Sequence, residues 1–192
     1  DLPPLVTSSS TDIPAAEAGV LGASGTELLY PRETELGDAR PGGRLSLGVW
    51  FDPCQFGGIG TRLFSLGEST SHYEQDSTVV PVLARPFSNV HVGAEDAFQV
   101  AYPGSTTGSI SVANSSRVSG GDVFYRRMIF ENSRRRLDLI AGYQFARIDT
   151  DLTIASQQRF SESNVSNVSH PQGTVLELSD TFDTRNSYHA GE

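Results

Sequence analysis

The chain has 192 residues, enough for one domain with a sizeable core, and its net charge of -9 disfavours sequence-independent binding to a phosphate backbone. All 14 basic residues are arginines, so the chemistries that need a lysine are excluded: Walker-A loops, Schiff-base enzymes, Ser-Lys nucleophiles and the kinase ion pair. The hydrophobic fraction is 37% and the mean hydropathy -0.26, with no apolar run near the ~20 residues of a membrane helix; a transmembrane β-barrel escapes this test, because its strands alternate lipid-facing and lumen-facing residues.

Residues 1–40 are rich in Ser, Thr, Pro and Gly. They read mostly as loop, with a helix-tolerant patch at Ala15 to Ala18 and a strand remnant at 26-TELLY-30. The opening 1-DLPPLVTSSSTDIP-14 has neither the basic nor the apolar region of a signal peptide.

The stretch 42-GGRLSLGVWFDPCQFGGIGTRLFSLGES-69 reads as a hairpin. Leu45, Leu47, Val49 and Phe51 alternate with Arg44, Ser46, Gly48 and Trp50, and Asp52-Pro53 ends the first strand. The return strand alternates weakly, and its faces stay unassigned. Residues 69–107 carry short apolar pieces such as 79-VVPVLA-84 and no long period, so they read as a long loop.

A second hairpin follows. Its first strand runs from about Ser109 to Phe130, and its turn is 131-ENSRRR-136. Its return strand, 136-RLDLIAGYQFARID-149, puts Leu137, Leu139, Ala141, Tyr143 and Phe145 on one face and Asp138, Ile140, Gly142, Gln144 and Ala146 on the other. From Leu137 to Phe145 is about 26 Å along an extended chain, close to the apolar band of a bilayer once the strand is tilted. Residues 150–173 read as another long loop, and 174-TVLELSDTF-182 as a last strand continuing into 183-DTRNSYHAGE-192. That ending stops in mid-strand, so the chain is expected to be a fragment, truncated at both ends.

Short turns alternate with long loops. Outer-membrane barrels put short turns on the periplasmic side and long loops outside. On that reading Leu45, Leu47, Val49, Phe51, Val123, Tyr125, Leu137, Leu139, Tyr143 and Phe145 face lipid, and Asp122, Arg126, Asp138 and Gln144 face the lumen. The two carboxylates are expected to pair with lumen arginines such as Arg126 and stiffen the wall. Arg134, Arg135 and Arg136 are expected at the hairpin tip.

Chemical motifs are scarce. Cys54 stands alone, so neither a disulfide framework nor a zinc site follows. His72, His91, His170 and His189 form no HExxH pair. Asp149, Asp151 and Thr153 imitate the start of a calcium loop, but Ile154 and Phe160 occupy the positions that need Gly and Glu. The sequons at Asn114, Asn164 and Asn167 belong to Ser/Asn-rich composition. No nucleophile elbow or dinucleotide fingerprint is present, so no enzyme, cofactor or metal is expected.

The segments 18-AGVLGASGTELLY-30, 41-PGGRLSLGVWFDPCQ-55, 83-LARPFSNV-90, 119-SGGDVFYRR-127, 136-RLDLIAGYQFARID-149 and 181-TFDTRNSYHAGE-192 occur in this order. Together they resemble the beta-barrel porins of the "type seven" family, found mainly in planctomycete outer membranes. The resemblance implies an integral outer-membrane barrel and brings no catalytic residues. Gly60 stands where members commonly carry an acidic residue.

The expected fold is therefore all-β: an antiparallel up-and-down transmembrane barrel segment over residues 1–192, incomplete, with about five strands and two long extracellular loops (69–107 and 150–173). The expected function is an outer-membrane wall, porin or scaffold, in contact with the lipid bilayer and passing small polar solutes, with no nucleic-acid partner. Two alternatives stay open: a secreted soluble β-sandwich that binds partners through its loops, and a barrel-anchored surface adhesin. Burial separates the first from the barrel, since a sandwich would make Leu45, Leu47, Val49, Leu137, Leu139 and Tyr143 its core.

Overall fold

The computed structural model describes residues 2–31, 39–161 and 171–191, and the backbone of 164–165 and 168–169. The chain is all-β and antiparallel. In chain order the strands are β1 (Val6–Ser9), β2 (Thr26–Tyr30), β3 (Gly42–Trp50), β4 (Gly57–Asp76), β5 (Leu83–Asn89), β6 (Ala94–Ala101), β7 (Thr106–Glu131), β8 (Arg136–Phe160), β9 (Asn164–Val165), β10 (Val168–Ser169) and β11 (Val175–Gly191). They form a four-stranded sheet ordered β2-β1-β5-β6, a small β10-β9 pair, and a five-stranded sheet ordered β11-β8-β7-β4-β3. Among the described residues the five-stranded sheet does not close on itself, and β3 and β11 are its edges.

The chain divides into two compact units. The first comprises Asp1–Gly37, Ser71–Asn114 and Leu152–Phe182. It holds the buried core: Leu5, Val6, Leu29, Tyr30, Leu83, Val100, Ala101, Ile110, Val112 and Ile154. The Thr7 hydroxyl donates to the Gly19 carbonyl at 2.7 Å, so a fully buried polar side chain is satisfied. Gly19 has φ +81°, and a Cβ there would lie 2.3 Å from the Ala84 Cβ, so only glycine fits. Tyr30 stacks on Tyr73 at 5.1 Å and its hydroxyl shares a hydrogen bond with Ser71 at 2.9 Å.

This unit corrects the loop assignments. Within residues 1–40 the strand at 26-TELLY-30 is present as β2, but Val6–Ser9 form a strand, β1, where a loop is expected, and Ala15 to Ala18 form turns, not helix. Residues 69–107 contain the end of β4 and the whole of β5 and β6. Their alternation is hidden because 79-VVPVLA-84 ends in an unbroken buried run, Val82, Leu83 and Ala84. Pro86 sits inside β5, registered against Ala97 of β6 and beyond the single β1 contact at Thr7↔Ala84. Residues 150–160 continue β8 as strand rather than opening a loop. There the inward positions are Ile154, Ser156, Gln158 and Phe160, and the two polar ones mask the period. Gln158 is satisfied by donating to the Gln99 carbonyl at 3.0 Å.

The second unit comprises Asp38–Thr70, Ser115–Asp151 and Asp183–Glu192. β3 and β4 pair from Gly42↔Leu66 to Trp50↔Gly58 without a register shift. Their turn is set by Asp52, whose carboxylate accepts from the amides of Phe56 at 3.1 Å and Gly57 at 3.2 Å. The β7–β8 turn is set the same way: the Asn132 side-chain oxygen accepts from the amides of Arg134 at 2.9 Å and Arg135 at 2.8 Å. Arg134 and Arg135 thus sit at the tip, while Arg136 begins β8 instead of belonging to the turn.

Candidate functional site

The second unit has two chemically different faces. Register puts Leu45 opposite Leu63 and Val49 opposite Ile59, so these residues share one face. Phe51 and Tyr125 stack at 6.3 Å, which brings β7 onto the same face. All ten residues expected to face lipid are exposed, from 39% for Phe145 to 64% for Phe51. Leu45, Leu47, Val49, Leu137, Leu139 and Tyr143 therefore form no core. Further along β8 the stripe ends on charge: Arg147 and Arg185 each donate Nε to Asp149, at 2.8 Å and 3.2 Å. Tyr143 stacks on His189 at 5.9 Å and shares a hydrogen bond with its Nδ1.

The opposite face is built from Arg44↔Phe64, Ser46↔Arg62, Gly48↔Gly60 and Trp50↔Gly58. Here the carboxylates lie low and the guanidiniums lie over them. Asp122, only 7% exposed, accepts from Arg62 Nε at 2.7 Å and 2.9 Å. Asp138 accepts from Arg126 Nε at 3.0 Å and from Arg136 Nε at 3.0 Å. Arg136 also donates Nη2 to the Gln55 carbonyl at 2.8 Å, which ties β8 to the β3–β4 turn. Arg62 lies 4.9 Å over the Phe124 ring, and Arg126 and Arg136 lie 5.4 Å and 5.5 Å from the Trp50 ring.

The rings in turn lie on glycine. A Cβ at residue 60 would meet Phe124 at 2.5 Å, one at residue 58 would meet Trp50 at 2.9 Å, and one at residue 120 would meet Phe64 at 2.7 Å. A cavity of about 180 Å³ opens between Trp50, Phe124 and Arg126 above Gly48, Gly58 and Gly60. Each layer explains the next: glycine lets a ring lie flat, the ring's π-face takes a guanidinium, and the guanidinium holds a carboxylate that would otherwise be buried alone.

Three of the four expected polar-face residues are joined in ion pairs: Arg126 pairs with Asp138, and Asp122 pairs with Arg62 rather than with Arg126. Gln144 is exposed and joins neither group. Sequence assigns no role to Arg62, Trp50 or Phe124, and Arg136, expected at the hairpin tip, joins the polar face instead. The signal was available for Trp50 and Arg62, which fall on one face once β3 and β4 are registered. Of the histidines, His72 lies 3.8 Å from Glu74. His170 and Asn167 lie outside the described residues, and of Asn164 only the backbone is described. Among the described residues no cluster of three His, Cys, Asp or Glu could hold a metal ion.

An antiparallel sheet with one exposed apolar face and one ion-paired polar face has the pattern of a β-barrel wall. Residues 1–192 match the family described as "Putative beta barrel porin-7 (BBP7)", and the chain belongs to that family. No curated protein and no solved structure matches it.

Proposed function

We propose that this chain forms part of the wall of an outer-membrane pore, with Leu45, Leu47, Val49, Phe51, Val123, Tyr125, Leu137, Leu139, Tyr143 and Phe145 against lipid. Asp122, Arg126, Asp138 and Gln144 then line a water-filled lumen that passes small polar solutes passively. The observation that carries this reading is the exposure of an entire apolar face beside an ion-paired one. A water-soluble protein rarely leaves so large an apolar patch open. The reading assigns the chain no catalysis and no cofactor.

A sheet in lipid cannot keep open edges, because unpaired backbone groups have no water to bind. The wall is therefore completed by strands beyond β3 and β11 that pair with those two edges. The adhesin reading keeps one support, the separate core of the first unit, which is more than a pore wall needs. Reconstitution of the full-length protein in planar bilayers separates the two. Stepwise conductance supports the pore, whereas a folded, inserted and non-conducting barrel supports the adhesin.

A further inference from the structure

We infer that the lumen selects small anions over cations, although the chain as a whole carries a net charge of -9. The inference rests on the pore reading and concerns only what the polar face presents to a solute.

The charges on that face are sorted by depth. The Asp122 and Asp138 side chains are 9% and 8% exposed, while those of Arg62, Arg126 and Arg136 are 31%, 39% and 28% exposed. Arg126 and Arg136 share the single carboxylate of Asp138, so that group carries one positive charge more than it has negative. Arg44, exposed and registered against Phe64 on the same face, adds another. Glu68, in the middle of β4, is paired with Arg117 at 2.9 Å.

Depth matters more than count. A carboxylate held beneath a guanidinium cannot approach a passing cation, so the accessible surface is cationic even where the pair is neutral. The sorting is fixed by packing. Phe124 lies over Gly60 and Trp50 borders Gly58, and a guanidinium held over a ring cannot fold under it. In a narrow aqueous path with low-dielectric walls, such a strip raises the local concentration of anions and repels cations. Arginine keeps its charge at any working pH, so the preference does not titrate away.

The test is the reversal potential of the full-length protein in a planar bilayer under a KCl gradient, repeated with potassium phosphate. The expected result is a chloride-over-potassium permeability ratio above one. In Arg126→Gln/Arg136→Gln the ratio falls at least roughly twofold as Asp138 is uncovered. Arg44→Gln, on the edge strand and outside the ion pairs, lowers it with no change in assembly, which covers the event that the double variant does not fold. Conductance with a ratio at or below one overturns the anion inference and leaves the pore reading intact. A folded, inserted protein with no conductance overturns both.

Discussion

The Phe124 ring lies flat over Gly60, so close that a Cβ on residue 60 would sit 2.5 Å from the ring's Cζ. The ring then supports Arg62, which holds Asp122. One missing side chain on β4 thus positions an ion pair between β4 and β7.

Gly60→Ala should therefore destabilise the sheet by about 1–3 kcal/mol, the usual cost of forcing an extra carbon into a packed site. Phe124→Ala should largely remove that penalty. The two substitutions together should cost less than the sum of each alone, as a double-mutant cycle of urea unfolding in lipid vesicles would measure. Strict additivity would mean that the ring and the glycine do not share a site.

Asp138 joins Arg126 and Arg136 and, through Arg136, the β3–β4 turn at Gln55. Asp138→Asn keeps the shape and removes the charge, leaving two guanidiniums without a carboxylate. A loss of stability is expected, below that of a fully buried pair because the arginines are about one-third exposed. The same unfolding assay reads it. Asp180→Asn, in the first unit, serves as the comparison, because its partner Arg85 belongs to a different ion pair.

The first unit should respond as an ordinary core does. Leu83 is fully buried, and Leu83→Ala should cost about 2–5 kcal/mol through lost burial and a residual cavity. Leu139→Ala, equally apolar by sequence but 59% exposed, should have a much smaller effect in detergent. Equal losses at the two positions would contradict the division between core and exposed face. Limited proteolysis and chemical denaturation together resolve the difference.

How much of this was legible in sequence depends on what carried the period. The stripe from Leu137 to Phe145 could be read in twos because its apolar side was uniform, and the same holds for Leu45 to Phe51. The polar side resisted reading because glycine, aromatic and charged residues occupy it together. Alternation alone does not tell that Phe124 belongs with Gly60 in the neighbouring strand; cross-strand register does. The first unit resisted for a different reason. Its strands are short, its core partners are far apart in the chain, and β1 reads Val-Thr-Ser-Ser, whose Thr7 is buried only because Gly19 supplies an acceptor. Asp122 and Asp138 are legible as ion-paired residues, but the identity of Arg62 as the partner of Asp122 needs the placement of β4 beside β7.

Asp76, in the first unit, offers a pH test. The Thr78 hydroxyl and amide donate to its carboxylate, and these bonds hold its pKa below the ordinary 3.8. Because the folded value is the lower one, the contribution to stability is complete above pH 3.8 and is lost as pH falls through the depressed folded value. A carbon NMR titration should place the Asp76 midpoint below 3.8, and Thr78→Val should raise it. An unchanged midpoint in that variant would remove the hydroxyl as a cause.

The central claim is that the exposed apolar face meets lipid and the ion-paired face meets water. The most direct measurement is nitroxide scanning of residues 137–145 in vesicles, one position at a time, with the exposed Cys54 replaced by Ser. Accessibility to oxygen and to a water-soluble nickel chelate would be read at each site. The account predicts alternation in twos, with oxygen favoured at 137, 139, 141, 143 and 145 and the nickel chelate favoured at 138, 140, 142 and 144. Free access of the nickel chelate to Leu137, Leu139 and Tyr143 in vesicle-bound protein, or a folded protein that does not associate with vesicles, would contradict it.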